Sequence, residues 1–488
     1  MIKYFLLLLI LSSGILMAQD TEFANSLYYN YQNYQESILS NRRIKHNDIV
    51  NLIKRIQNNP EFNIQVAGTS TENRAIYLIK TGSGKTKIFL WSQMHGDEST
   101  ATMAIFDIIN FLSGNDFFNE FRTSLLQNVT LYFMPMVNPD GAEIFQRRNI
   151  IDIDLNRDAI AQQTPEGKIL KETFDSLKAD FGFNLHDQNI HYSAGHSFKS
   201  AVLSFLAPAE DYGKTIDTVR SNAMKVIGLM YRTLSSFIPG HMAKYKDDFE
   251  PRAFGDNFQK WGTSTILIES GGWKDDTDKQ FIRKLNFMAL LCAFKNISEK
   301  SFANESLESY NKIPFNEEDL FDVIIRNVKY SKDERDYLFD VGINRTEVNI
   351  NKSASFYYKS EVEDLGDLSV FFGYEDFNFE GMEIFPGKTY PDRFNSIEEI
   401  QKLNFNRLYA EGYTNVMINS QNYNSEFCRL PINIVTNQNY AADKNIKTGQ
   451  VPNFILKKSG KVKYVIINGF VYNVVNSTGE IKNGLVLQ

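Results

Sequence analysis

Cysteine is almost missing from this chain, with Cys292 and Cys428 the whole supply in 488 residues. Two thiols exclude a zinc site built from three or four cysteines. Pairing of the two is left open for an exported chain. Cys292 sits in FMALLCAF, where a free thiol acts as a small hydrophobe in a buried helix. Blocks of like charge are missing as well: 52 Lys and Arg stand against 59 Asp and Glu, mixed along the chain, for a net charge of -7. That excludes a polybasic surface for nucleic acid or anionic lipid. Long hydrophobic runs are confined to the start, so no later segment can span a bilayer. Histidine is scarce, with six residues, which makes the position of each informative.

What the chain has is ample core material, with 43% hydrophobic and 13% aromatic residues. Disorder on a large scale is excluded, and the length points to two domains. The opening MIKYFLLLLILSSGILMAQD has an early lysine, an apolar run and small residues leading to Ala18. This is the layout of a secretory leader, so residues 1–18 are expected to be removed and the protein exported, to a periplasm or beyond the cell. No membrane association is expected after that removal.

Short apolar runs then alternate with helical spacing. AIYLI (75–79), KIFLWSQ (87–93), VTLYFMPM (129–136), FGFNLH (181–186), AVLSFLAP (201–208) and TSTILIES (263–270) read as strands. Helices are expected over 100–112, 213–237 and 278–296. Alternation of this kind predicts an α/β domain with a mixed, largely parallel central sheet flanked by helices. Past residue 300 the chain turns polar in ANESLESYNKIPFNEED and then shows shorter strands, a helix near 396–411 and a terminal strand pair at 461–475. We place a catalytic domain at 19–304 and a smaller β-rich C-terminal domain at 305–488.

In such sheets ligands bind at the carboxyl ends of strands. Polar clusters fall there repeatedly: His95 and Glu98 after KIFLWSQ, Asn138-Pro139-Asp140-Gly141 after VTLYFMPM, His186 after FGFNL, and Glu269 at the close of TSTILI. His95 and Glu98 form an H-x-x-E at a strand-to-helix joint, and an imidazole with a carboxylate suits zinc. His186 is the natural third ligand, with His191 and His196 as rivals in a loop-like stretch. Asp187 or another carboxylate would orient a ligating imidazole. The stretch QRRNIIDIDLNRD adds Arg147, Arg148, Asn156 and Arg157, a set suited to clamping an anionic substrate end.

HGDE, NPDG, RRN…DLNRD, HDQ and ILIESGG occur in the order seen in the M14 family of zinc metallocarboxypeptidases, and residues 35–300 resemble that family. The likeness is greatest to secreted bacterial members. It implies one Zn2+ per chain, held by His95, Glu98 and His186. It implies Glu269 as general acid/base and Arg147 facing the oxyanion, with Arg148 as its rival. Asn156 and Arg157 would hold the free C-terminal carboxylate of a peptide substrate. The family's substrate-closing tyrosine maps to Asp247, and Tyr245 two residues away is the candidate for that role. The implied activity is hydrolysis of the C-terminal peptide bond. The alternatives are a zinc amidase or deacylase acting on γ-glutamyl or acylated amino-acid substrates, and a non-catalytic binding protein of the same fold. Arg252, Phe254 and Asp256 are placed near a specificity pocket, where they would favour acidic, apolar and basic side chains respectively; a structural salt bridge between Arg252 and a neighbouring acid is the equal alternative. The C-terminal domain carries no second catalytic cluster, and contact with cell wall or glycan is the partner reading for it.

Overall fold

The computed structural model describes residues 19–419, 423, 425–437, 439–440, 442–443, 445–475 and 482–488. The leader expected at residues 1–18 lies outside the described residues. Among the described residues no helix is long and apolar enough to cross a membrane. Contacts divide the chain into a unit ending at Glu318 and a second unit, Asp319–Gln488.

The first unit is built on an eight-stranded sheet of β1 (Asn63–Thr69), β2 (Ala75–Gly82), β3 (Thr86–Ser92), β4 (Val129–Met134), β5 (Phe181–Asp187), β7 (Leu203–Leu206), β8 (Met242–Lys244) and β9 (Ser264–Ser270). Two short strands, β6 (Ser193–Ala194) and β10 (Asn316–Glu317), pair apart from it. The order is β1-β2-β4-β3-β5-β9-β7-β8. Its centre, β4-β3-β5-β9, is parallel, while β1, β2 and the β7–β9 pair are joined antiparallel.

Strand β3 shows why the centre reads as an unbroken apolar run. Ile88 and Leu90 enter one core with the helices Thr100–Leu112, Thr218–Leu234 and Gln280–Ser298. Phe89 and Trp91 enter another, with Leu170, Phe174, Phe254 and Phe258. Both faces are covered, so neither can be polar. Gly182 on β5 is fitted to this packing: a Cβ there would stand 3.1 Å from the Trp91 ring.

The polar segment past residue 300 packs onto the first unit. The helix Leu307–Asn311 lies against Thr218–Leu234, Tyr310 is buried, and β10 pairs with β6. The first unit ends at Glu318, within about 15 residues of the boundary expected near 305. The second unit is β-rich. One sheet contains β11 (Leu320–Lys332), β12 (Arg335–Ile350), β13 (Ser355–Gly366), β14 (Phe372–Asn378), β15 (Glu383–Pro386), β20 (Asn453–Lys458), β21 (Lys461–Ile467) and β22 (Phe470–Asn473). A smaller one contains β16 (Lys388–Phe394), β17 (Tyr413–Ile418), β18 (Phe427–Cys428), β19 (Asn433–Val435) and β23 (Gly484–Leu487). The helix expected near 396–411 is two short ones, Ile397–Gln401 and Phe405–Glu411, because Asn404 caps the second by accepting from Arg407 N at 3.1 Å. Cys292 and Cys428 are both free and buried.

Candidate metal and catalytic centre

The strand order places β3, β5 and β9 side by side, so their carboxyl ends meet. On β5 and β9 the register pairs His186 with Glu269, which sends both side chains out on the same face. After β3 the chain turns sharply: Gln93 adopts φ 51, and its Nε2 donates to Gly96 O at 2.9 Å. Gly96 is required there, since a Cβ would meet the Gly141 carbonyl carbon at 2.1 Å. Asn138 of the NPDG stretch is fully buried and locks this turn. Its Oδ1 accepts from Gly141 N at 2.9 Å, capping the helix Pro139–Ile144, and its Nδ2 donates to Met94 O at 3.3 Å. The NPDG signature thus serves the shape of the metal-binding loop.

His95, Glu98 and His186 are buried and bring their ligand atoms within 4.8 Å of one another; no other group of this kind occurs among the described residues. His95 Nδ1 lies 2.7 Å from Glu98 Oε1, His186 Nδ1 lies 2.7 Å from Glu98 Oε2, and the two Nδ1 atoms are 3.1 Å apart. His191 and His196 stay outside the cluster.

Asp154 supplies the reason for this orientation. Its Oδ1 is 3.0 Å from His95 Nε2, which places the ring proton there and leaves Nδ1 a lone pair. Neutral rings and a carboxylate then turn three acceptors toward one another, which a cation satisfies. His186 Nε2 is buried without a hydrogen-bond partner. Two imidazole nitrogens and a carboxylate oxygen also leave a fourth tetrahedral position open, as catalytic zinc requires. The residues therefore fit zinc.

Without a cation, protons and charges must balance the cluster. Burial disfavours protonated His95, yet Glu98 and the Asp154 hydrogen bond outweigh it and push its pKa up to about 9. Burial holds the His186 pKa down. The imidazoles keep Glu98 well below the usual carboxylate range, against its burial. Glu269 is held well above that range, by burial and then by the Glu98 charge. A divalent ion between the ligands would reverse part of that repulsion.

Arg147 faces the cluster. Its Nη1 is 3.1 Å from both His95 Nδ1 and Glu98 Oε1, and its Nε and Nη2 donate to Asp154 Oδ2 at 3.2 Å. The loop between the two is closed by Asn149, whose Oδ1 accepts from Ile153 N at 2.9 Å. Arg148 turns away and donates to Asp152 O at 2.9 Å. Asn156 Oδ1 accepts from Phe254 N at 2.9 Å, and Arg157 Nε lies 3.4 Å from Glu250 Oε2. Asp247 pairs with Arg220 and Lys214. Tyr245 follows β8, with its ring 5.7 Å from that of Tyr192 in an edge-on contact. Burial and then the Glu269 charge hold its phenol protonated.

Two expectations change, at Asp187 and Phe254. Asp187 does not orient an imidazole: its Oδ2 accepts from Thr100 Oγ1 at 2.6 Å and Lys279 Nζ at 3.0 Å. Asp154 takes that part, and the sequence reading passed over it, although it sits inside the IDIDL run. Phe254 is core, fully buried and edge-on to Phe258, so it lines no pocket. Arg252 forks onto Glu250 at 3.0 and 3.1 Å in an exposed pair. Asp256 Oδ1 accepts from Glu250 N at 3.0 Å, and burial pushes its pKa up to about 6.

A buried His-Glu-His group at the carboxyl ends of parallel strands defines a candidate metal centre. The family model for zinc carboxypeptidases, Peptidase_M14, matches residues 49–202. The chain is 26% identical to Carboxypeptidase 2 of Trichophyton tonsurans over 119 residues, covering 24% of this chain and 21% of that protein. It is 35% identical to Carboxypeptidase SOL1 of Arabidopsis thaliana over 65 residues, 13% of each chain. The chain thus spans about a fifth of the length of the first of these curated relatives. Among solved structures, a metallo-carboxypeptidase from Burkholderia cenocepacia is similar at 18% identity and a TM-score of 0.43, over 52% of this chain and 69% of that one.

Proposed function

We propose that this protein is a zinc-dependent metallocarboxypeptidase that hydrolyses the C-terminal bond of peptides. The observation that carries the reading is the convergence of His95, Glu98 and His186 beside Glu269 and Arg147. Zinc, when bound there, supplies Lewis acidity and makes water a nucleophile near neutral pH. The chain's own groups account for the rest. Glu269 is placed to accept the proton of the attacking water and to deliver it to the leaving amine, and its raised pKa suits both tasks. The Arg147 guanidinium, turned toward the cluster, meets the negative charge that develops on the carbonyl oxygen. Arg157, with Asn156 held against Phe254 N, offers a carboxylate clamp, and Arg157 must exchange its contact with Glu250 for the substrate's terminus. Tyr245 stands beside the buried acid as the group that covers the substrate.

The N-terminal apolar segment supports an exported protein of the secreted bacterial type, and contact of the second unit with cell wall or glycan is the partner proposed for it.

The test is turnover of paired peptides with free and amidated C-termini, read by mass spectrometry. Stepwise loss of C-terminal residues from the free peptides alone, abolished by a chelator, is the expected result. Cleavage of amidated peptides at equal rate would remove the clamp, and no cleavage of either by zinc-loaded protein would sink the activity.

A further inference from the structure

Residues 311–318 form a strap across the two loops that border the candidate centre. Lys244 N donates to Pro314 O at 2.8 Å, and Lys244 Nζ to Asn311 O at 3.0 Å. Gly195 N donates to Phe315 O at 2.8 Å. Asn316 and Glu317 pair in antiparallel register with Ala194 and Ser193, and Asn316 Nδ2 donates to Gln188 Oε1 at 3.3 Å. One loop follows the zinc ligand His186, and the other leads from β8 into Tyr245.

The strap ends in a directed chain of hydroxyls. The Tyr245 hydroxyl donates to the Tyr192 hydroxyl, which in turn donates to the Glu318 carboxylate. Tyr245 N donates to Phe205 O at 3.0 Å, so its backbone is already fixed and the phenol is the part left to be held. A terminal carboxylate makes the chain one-way, since it can only accept.

We propose that Tyr192 and Glu318 are positioning residues for Tyr245, and that the strap holds this tyrosine over the bound peptide. The proposal rests on the carboxypeptidase reading for the substrate's identity, while the hydroxyl chain stands apart from it. A tyrosine held this way needs little reorganisation when substrate arrives, so the chain acts on substrate binding more than on bond cleavage.

The experiment uses residues 19–488 carrying Tyr192→Phe, Glu318→Ala, Tyr245→Phe and the Tyr192→Phe/Tyr245→Phe pair. Tyrosine nitration by tetranitromethane, mapped by mass spectrometry, reads the chain without any need for activity. Nitration of Tyr245 should be slow in the parent and rise at least about threefold in Tyr192→Phe, the scale of one lost hydrogen bond. Tyr192 nitration should rise likewise in Glu318→Ala. In peptide hydrolysis each single variant should raise KM by about three- to tenfold, with kcat and melting temperature unchanged. The pair should lose no more than Tyr245→Phe alone, because one chain is cut twice. Unchanged nitration at Tyr245, or losses that multiply in the pair, would overturn the proposal. Responsive nitration in a protein that cleaves no peptide would instead overturn the carboxypeptidase reading.

Discussion

Two of the charge clusters buried in the first unit are completed to different degrees. Asp107 and Arg283 are both fully buried. Arg283 uses all five of its donors: Nε and Nη2 on Asp107 at 2.7 and 2.5 Å, Nη1 on Leu39 O and Gln280 Oε1 at 2.5 and 3.0 Å, and Nη2 again on Glu36 O at 2.9 Å. Asp107 also accepts from Tyr31 Oη at 2.8 Å and Glu36 N at 2.7 Å. Nothing in that group is left to react. The His95–Glu98–His186 cluster, equally buried, is short of donors, and around it His186 Nε2, Asp187 Oδ1 and Asp97 Oδ1 have no partner. A buried polar group without a partner costs about 1–3 kcal/mol. A fold keeps such groups where something else completes them. The saturated cluster ties the N-terminal segment, through Tyr31, Glu36 and Leu39, to the helix Gln280–Ser298; the unsaturated one leaves ligand atoms that a metal would complete.

Substitution should separate the two clusters by readout. The largest effect falls on turnover. Glu269→Gln keeps the shape and removes the proton carrier, so peptide hydrolysis should fall about 10²–10⁴-fold. Zinc content should hold at the parent ratio. The sign for stability is fixed by the raised pKa: above the unfolded value near 4.3 an ionised buried carboxylate costs stability, so the amide should leave the melting temperature equal or higher. A drop in melting temperature alongside retained activity would show that the two clusters share the structural role. Next comes Arg283→Met, which strands Asp107 and should destabilise the protein by about 3–5 kcal/mol in denaturant unfolding. Zinc stoichiometry and kcat/KM of the folded fraction should stay as they were. Metal loss at full folding would break the distinction.

The unequal completion also explains what the sequence could tell. The apolar run of β3 and the helix Thr100–Leu112 are legible because burial on both faces leaves no other residues for those positions. His95, Glu98, His186 and Glu269 stand out because charge at the end of an apolar strand is costly unless used. That their strands are neighbours is not legible from periodicity, since the β4-β3-β5-β9 order is a matter of crossovers; the family resemblance supplied it. Strand β1 was not read because NIQVAGT lies at an edge with little burial to impose a pattern. Arg283 and Asp107 are 176 positions apart and carry no local signal at all. Asp154 was missed for a related reason. Beside the basic residues it reads as one half of a surface pair, and only the turn set by Asn149 carries it to His95. Phe254 was misplaced because its neighbours in sequence are charged, while the helix Phe254–Lys260 turns it into the core.

Asp154 is where the comparison becomes sharpest, because it joins the site without being a ligand. It accepts from His95 Nε2 and from Arg147, and its Oδ1 also accepts from Asn156 N at 2.9 Å. One carboxylate therefore fixes the tautomer of His95, the direction of Arg147, proposed to face the oxyanion, and the start of the proposed clamp segment at Asn156. Asn at this position keeps an acceptor oxygen but loses the charge and one oxygen. If that oxygen stays on Asn156 N and His95, Nε2 keeps its proton but the imidazole is a poorer ligand. If the amide turns, Nε2 meets a donor and the ring proton is driven to Nδ1, the metal side. Either way zinc affinity of Asp154→Asn should fall about 10–100-fold, the usual cost of losing such a partner, measured by competition with a chromogenic chelator. Excess zinc should restore occupancy, yet hydrolysis should stay reduced, since Arg147 has lost its anchor. Full recovery of hydrolysis at saturating zinc would confine Asp154 to the metal, and would leave Arg147 oriented by Glu98 alone.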